Sequence, residues 1–285
     1  MAGNLFVIAD LHLSFASGKP MDIFGSAWAN HVVRLEENWR RTVDEDDIVI
    51  VPGDLSWALK TYEAVPDLAY IDSLPGKKIL MKGNHELWWS SAGKLRRMKE
   101  ENNFSTLFFL YNNAFYIGGA DIIICGTRGW KCPGCESGFN TSDMKVYKRE
   151  QLRLGLSLDY GKKLRSLYLE AIAGRGEIPS EDIGVFVLPD ASEYNEPLQE
   201  GCTVRPRILS FFHYPPFNNR RESSAFTSLL EKEGIKECFF GHLHGIGSAQ
   251  RCDDGTVLPV YRNGGIKYYL TAADFLELLP ARIGL

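Results

Sequence analysis

The sequence predicts an α/β protein whose parallel strands deliver their carboxyl ends to one shared site. Three observations predict it. In the first hundred residues, apolar runs of strand length alternate with stretches of helical periodicity, the pattern of a parallel sheet with helical crossovers. Five apolar runs along the chain stop at a cluster of Asp, Asn or His, with Gly or Pro often between. Five of the six histidines lie just past such a run, His31 being the exception. Open α/β sheets bind ligands outside the carboxyl ends of their strands, so this concentration of imidazole and carboxylate is expected at one place.

Taken in order, Leu5–Ala9 is the first strand and runs into Asp10 and His12. A glycine-containing loop from Ser14 to Gly25 is long enough to lie over the site. Trp28, Val32, Leu35, Trp39 and Val43 recur at three- and four-residue steps and mark an amphipathic helix. His31 lies off that stripe and reads as a surface residue. Ile48–Val51 is the second strand and ends in Pro52-Gly53-Asp54. A weaker helix spans Tyr62 to Leu74, and Pro75-Gly76 is a turn. Lys78–Met81 is the third strand, followed by Lys82-Gly83-Asn84-His85-Glu86 and a helix from about Ser90 to Asn102.

The middle of the chain changes character. Leu107–Leu110, Ala114–Ile117 and Ile122–Cys125 read as short strands of a hairpin or meander, separated by Asn112-Asn113 and Gly118-Gly119. A loop rich in Gly, Pro and Cys follows, residues 127–143. Lys145 to Ala173 reads as a long helix with Val146, Leu152, Leu156, Leu164, Leu167 and Ile172 on its apolar face. Gly155 and Gly161 are possible breaks in it. Residues 173–207 have the least ordered composition, with a short strand at Val185–Leu188 inside. Then Ile208–Phe212 runs into His213, a helix spans Ser224–Glu233, and Cys238–Phe240 runs into Gly241-His242-Leu243-His244. Val257–Tyr261 and Ile266–Leu270 are late strands. Candidate site residues lie on both sides of the variable loops at 127–143 and 173–207, so residues 1–285 are expected to form a single domain.

Composition narrows the function. Hydrophobic content of 45% and charged content of 24% are those of a globular protein. The net charge of -4 supplies no basic field to attract nucleic acid. No basic stretch precedes a long apolar run at the start, and no apolar run is long enough to span a membrane. The six cysteines lack regular spacing and suit reduced thiols, so a cytoplasmic location is expected.

Asp10, His12, Asp54, Asn84, His213, His242 and His244 supply two carboxylates, one amide and four imidazoles. That is too many for one ion, since zinc and similar metals are satisfied by three or four protein ligands. Mixed nitrogen and oxygen donors suit Mn, Fe, Co, Ni or Zn. Two such ions sharing a carboxylate, about 3.5–4 Å apart, form the arrangement used for in-line displacement at phosphorus. Asp10 and His12, like His242 and His244, are two residues apart, and in extended chain they would project to one face.

The ordered blocks Asp10-x-His12, Gly53-Asp54, Gly83-Asn84-His85-Glu86, His213 and Gly241-His242-x-His244 resemble the calcineurin-like metallophosphoesterase superfamily over nearly the whole chain. The resemblance implies a four-layer α/β/β/α sandwich with a dimetal site at the strand ends. It implies a phosphoric ester hydrolase acting on phosphomonoesters or phosphodiesters through metal-activated hydroxide, with two divalent transition metals, Mn foremost. Asp10, His12 and His244 would hold one ion, Asn84, His213 and His242 the other, and Asp54 would bridge them. His85 would be the catalytic acid that protonates the leaving oxygen. In the protein-phosphatase branch a further Asp stands three residues after the Gly-Asp block. Here that position is Trp57, which points to an uncharacterised prokaryotic-type branch and leaves the partner of His85 unassigned. A small phosphoester is the expected partner. A nuclease is disfavoured by the acidic charge, and a non-catalytic scaffold by the complete ligand set.

Other residues carry weaker signals. Trp57, Trp88, Trp89 and Trp130 suit either packing around the site or an aromatic rim for substrate. Arg128 suits either a phosphate clamp or a solvated loop. Arg149, Glu150 and Arg153 read as the charged face of the long helix. Cys132-Pro133-Gly134-Cys135 has the spacing of half a zinc site, but no second pair follows, so a turn with two free thiols is expected.

Overall fold

A computed structural model describes residues 3–187 and 207–284. Two sheets are formed. The first takes its parallel strands from Leu5–Val7 (β1), Ile48–Val51 (β2), Lys77–Met81 (β3) and Leu107–Leu110 (β4), side by side in that order. Every residue of β1 and β2 is buried, which is why these strands read as continuous Val/Ile/Leu/Phe runs rather than alternating ones. Ala281–Ile283 (β12) closes this sheet, antiparallel to β1.

The second sheet contains Phe115–Gly118 (β5), Ile122–Thr127 (β6), Val185–Val187 (β7), Arg207–Phe212 (β8), Glu237–Phe240 (β9), Tyr261–Asn263 (β10) and Ile266–Leu270 (β11). Its order is β10-β11-β9-β8-β6-β5-β7. Among the described residues five α-helices flank the sheets: His31–Thr42 (α1), Thr61–Ser73 (α2), Ala92–Glu101 (α3), Thr141–Glu170 (α4) and Ala225–Lys232 (α5). The result is the α/β/β/α sandwich that the strand–helix alternation and the motif order anticipate.

Several expectations are corrected. β4 is no part of a meander: it pairs with β3 in the first sheet, and of the three strands expected there β5 and β6 alone pair as a hairpin, in the second sheet. The chain crosses between sheets at Tyr111–Ala114, where Asn112 adopts φ 63° and Asn113 accepts a hydrogen bond from the Tyr111 amide. α4 runs unbroken through Gly155 and Gly161, and its buried face matches the predicted one only in part. Leu164 is buried as expected, but Leu152, Leu156, Leu167 and, just past the helix, Ile172 are exposed, while Tyr147, Glu150, Leu154, Ser157, Leu158 and Gly161 face inward. A methyl group on Gly161 would collide with Ile123, so the glycine sets how closely α4 approaches β6. His31 is buried rather than on the surface, edge-on to Trp28. The strand predicted at Val257–Tyr261 begins only at Tyr261. Leu188, at the end of another predicted strand, lies outside the described residues. No described helix is long and apolar enough to cross a membrane.

Candidate metal centre

Four of the functional side chains leave their strand ends through a backbone twist. Asp10, His12, Asp54 and His242 have φ values of 61°, 47°, 52° and 70°. Asp-x-His is therefore not an extended segment presenting one face, as its spacing suggested. At these four residues a left-handed turn directs the side chain back over the sheet edge. Such conformations are strained for residues other than glycine and persist where the surroundings hold them. Here the Asp10 amide donates to the Gly53 carbonyl at 2.9 Å and the His12 amide to the Asp54 carbonyl at 2.9 Å. The loops are so close that Gly53, at φ 91°, has no room for a methyl, which would lie 2.7 Å from Gly83 Cα and 2.9 Å from His213 Nδ1.

The strand ends assemble two triads. Asp10, His12 and His244 form one, and Asp54, His213 and His242 the other, with the potential ligand atoms of each within 4.8 Å of one another. Asn84 joins the second triad, its Oδ1 lying 2.7 Å from His213 Nε2. The Asp54 Oδ2 atom sits between the triads, 3.9 Å from His12 Nε2 and 3.4 Å from His213 Nε2.

Partners outside the triads orient these groups. A carbonyl can only accept, so the contact of His213 Nδ1 with the Pro52 oxygen at 3.1 Å places its proton on Nδ1 and leaves the Nε2 lone pair facing Asn84 and Asp54. Asp274 does the same for His244, accepting from Nδ1 at 2.9 Å and from the Gly245 amide with its other oxygen. Its carboxyl lies in an apolar setting that would raise its pKa, yet these hydrogen bonds hold it below the usual range. Glu86 is fully buried and accepts four backbone amides. Oε1 takes Leu55 at 2.5 Å and Ser56 at 3.3 Å, and Oε2 takes Asp54 at 3.1 Å and Gly83 at 2.5 Å. One carboxylate thus fastens the loop bearing Asp54 to the loop bearing Asn84.

The residues fit divalent cations. Asp10 Oδ1 and His12 Nδ1 are buried and have no hydrogen-bond partner among the described residues, and buried polar atoms are otherwise almost always paired. Burial holds the pKa values of His12, His213 and His242 down to about 3, so these imidazoles are neutral and available as donors. Asp10 is driven well above the carboxylate range by burial and then by Asp54 beside it. Among the described residues Asp10 and Asp54 have no Lys or Arg ion pair, and such buried carboxylates are what bound cations would neutralise.

His85 belongs to neither triad. Its Nε2 lies 3.9 Å from Asp54 Oδ2, and its side chain is 37% exposed. Burial is the main cause of its lowered pKa. Where an acid was absent from the sequence, an aromatic ring holds it: Trp57 packs against His85 at 4.0 Å between centroids and stacks on His12 at 4.9 Å. The Ser14–Gly25 loop does lie over this end of the site. Met21 accepts from Trp57 Nε1, and the Lys19 ammonium sits 3.0 Å from the centre of the Trp57 ring.

Trp88 and Trp89 are buried in the core, whereas Trp130 lies between Tyr214 at 5.1 Å and the Arg128 guanidinium at 4.6 Å. Arg128 is no solvated loop residue: its side chain is 12% exposed and lies 3.6 Å from Glu150. Glu150 itself is buried, not part of a charged face, and accepts from Thr127 Oγ1 and Arg153 Nη1. Cys132 and Cys135 are free thiols in a turn closed by the Cys135 amide on the Cys132 carbonyl. The sequence reading missed Asp274 and the role of Glu86. The only available signal was the proximity of Glu86 to Asn84.

Residues 3–245 match a family described as calcineurin-like phosphoesterase. Among solved structures, a protein of unknown function from Aquifex aeolicus aligns at 15% identity and TM-score 0.42, covering 98% of this chain and 95% of its own. The TT1561 protein of Thermus thermophilus aligns at 10% identity and TM-score 0.46, covering 91% and 89%. No curated protein sequence matches the chain.

Proposed function

The chain belongs to the calcineurin-like phosphoesterase family, and we propose that it hydrolyses small phosphoric esters, monoesters or diesters, with two divalent transition metals. The observation that carries this reading is the position of Asp54 Oδ2, within 3.9 Å of His12 in one triad and 3.4 Å of His213 in the other. One carboxylate at that place can serve two ions. Asp10, His12 and His244 would hold one, and Asn84, His213 and His242 the other. Mn is the first candidate, with Fe, Zn, Co and Ni as rivals. When bound, such ions acidify water and neutralise charge on phosphoryl oxygens.

The chain's own groups do the rest. His85 stands beside the triads with its Nε2 free of ligand duty, and donates a proton to the departing ester oxygen. Trp57 keeps its ring in place by packing rather than by a hydrogen bond to a carboxylate. Arg128, stacked on Trp130, is the candidate for binding phosphoryl oxygens. The test is release of nitrophenol from mono- and bis-nitrophenyl phosphate after addition of Mn²⁺, and its loss with a chelator. Failure to turn over either ester with any of the five metals would overturn the reading.

A further inference from the structure

A cavity of about 470 Å³ opens against the second triad. That volume falls in the range of small-molecule sites, roughly 300–1,000 Å³. At one end are the ligand candidate His242 and Tyr214, whose rings lie 4.1 Å apart. Phe217, Ile246, Val260 and Tyr261 form much of its wall. Contacts among its own residues brace the wall. Phe217 meets Tyr261 edge-on at 5.3 Å, and the Tyr261 hydroxyl donates to the Arg221 carbonyl at 3.2 Å. Beside this aromatic surface Ile246 is 56% exposed, an apolar side chain that core packing does not account for. Lys131 and Arg221 also line the cavity. Arg221 lies 4.9 Å over the Tyr261 ring and has no ion pair among the described residues.

His85, Trp57 and Lys19 take no part in the lining. The centre therefore has two distinct ends, one with the proton donor and one with an aromatic cavity. A phosphomonoester has a single organic group and needs only the first. A phosphodiester has a second group that stays on phosphorus and must be accommodated elsewhere.

Resting on the phosphoesterase reading above, we infer that the cavity beside His242 binds the retained organic group of a phosphodiester. That group is a planar aromatic one of nucleoside or aryl type, and the leaving group departs on the His85 side. Water supplies the oxygen of the new P–O bond and, by way of His85, the proton of the leaving alcohol. The P–O bond to that alcohol breaks, and the retained group remains esterified. Tyr261 is stacked on Tyr268 and lies under Arg221, so a flat ring would meet the edges of Tyr214, Phe217 and Tyr261, an arrangement aromatic pairs favour. The Arg221 cation at the cavity suits an electron-rich ring, while Lys131 is already paired with Asp143 at 3.4 Å.

Two diesters with one leaving group test this on the Mn²⁺-supplemented enzyme: thymidine 5′-(nitrophenyl phosphate) and methyl nitrophenyl phosphate. The thymidine ester is expected to have a kcat/KM at least about tenfold higher, mostly through KM. Tyr261→Ala and Ile246→Trp, the second at an exposed position that tolerates exchange, should each bring the ratio of the two esters toward one. Calorimetry should show thymidine 5′-monophosphate binding more tightly than methyl phosphate, with the same loss in both variants. Equal kcat/KM for the two esters, or a preference that both variants keep, overturns the inference and leaves the phosphoesterase reading intact. Turnover of nitrophenyl phosphate without either diester does the same. No turnover of all three removes the phosphoesterase reading as well.

Discussion

Replacing Glu86 with Gln probes whether one buried carboxylate holds the two ligand loops together. The substitution keeps size and shape but exchanges one carboxylate oxygen for an NH₂ group. The four amides that Glu86 accepts divide two to each oxygen. Whichever way the amide is turned, two backbone N–H groups lose their acceptor and face a donor. An unsatisfied buried donor costs about 1–3 kcal/mol, so two cost roughly 2–6 kcal/mol. Part of this is offset, because Gln has no charge to desolvate, and burial raises the pKa of the Glu86 carboxyl even against its four amides. A net loss of about 2–4 kcal/mol remains, a large share of the 5–15 kcal/mol typical of domains. At roughly 2–4 °C per kcal/mol, calorimetric melting of the metal-free protein should fall by about 4–16 °C. The amides released belong to the loops of Asp54 and Asn84, so Mn²⁺ affinity should fall together with stability, by about 10–100-fold as for other groups that orient ligands. A Glu86→Gln protein that melts within about 1 °C of the parent and binds Mn²⁺ with unchanged affinity would refute this account of the loops.

His85→Asn should keep its metals and lose roughly 10²–10⁴-fold in rate on alkyl or nucleoside esters, the usual worth of general acid catalysis. It should lose clearly less on nitrophenyl esters, whose leaving group needs no proton. Equal losses across a leaving-group series would reduce His85 to a positioning residue. Asp274→Ala frees the His244 ring, so a Mn²⁺ titration should show one site weakened about 10–100-fold and the other unchanged; equal weakening of both would contradict the separate roles of the triads. Gly53→Ala should destabilise the fold and abolish metal binding, because the new methyl meets Gly83 Cα at 2.7 Å with φ at 91°. Normal melting and metal content in that variant would show that the loops can move apart.

How much of this was legible in the sequence depends on which contacts are local. The strands of the parallel core announced themselves as β-branched runs, and their polar terminators marked the site, because side-chain burial and chain direction are properties of each short segment. The inward face of α4 was not legible. It carries Glu150 and Ser157, which hydrogen-bond to Thr127 Oγ1 and the Gly126 amide of β6, so an apolar-only reading selected Leu152 and Leu156 instead. Sheet membership of β4 was hidden because its partner β3 lies about thirty residues earlier. β12 is three residues long and becomes a strand only by pairing with β1. Lys78 shows the same limit: it is fully buried in β3, where its ammonium donates to the carbonyls of Asp72, Leu74 and Gly76 around the end of α2. Asp274 acts on His244, and Glu86 on the amides of Asp54, Leu55 and Ser56, across the fold, where no spacing in the chain could have revealed the partner; only the Glu86 bond to the Gly83 amide is local.

The central claim is that Asp54 serves two ions held by the two triads. Elemental analysis of protein purified without chelator and then equilibrated with Mn²⁺ tests it most directly, on the parent and on Asp54→Asn. Two divalent metal ions per chain are expected in the parent, with reduced occupancy of both sites in the variant. A stoichiometry that stays near one on adding Mn²⁺, or an Asp54→Asn protein that retains two ions as tightly as the parent, would contradict the bridged pair.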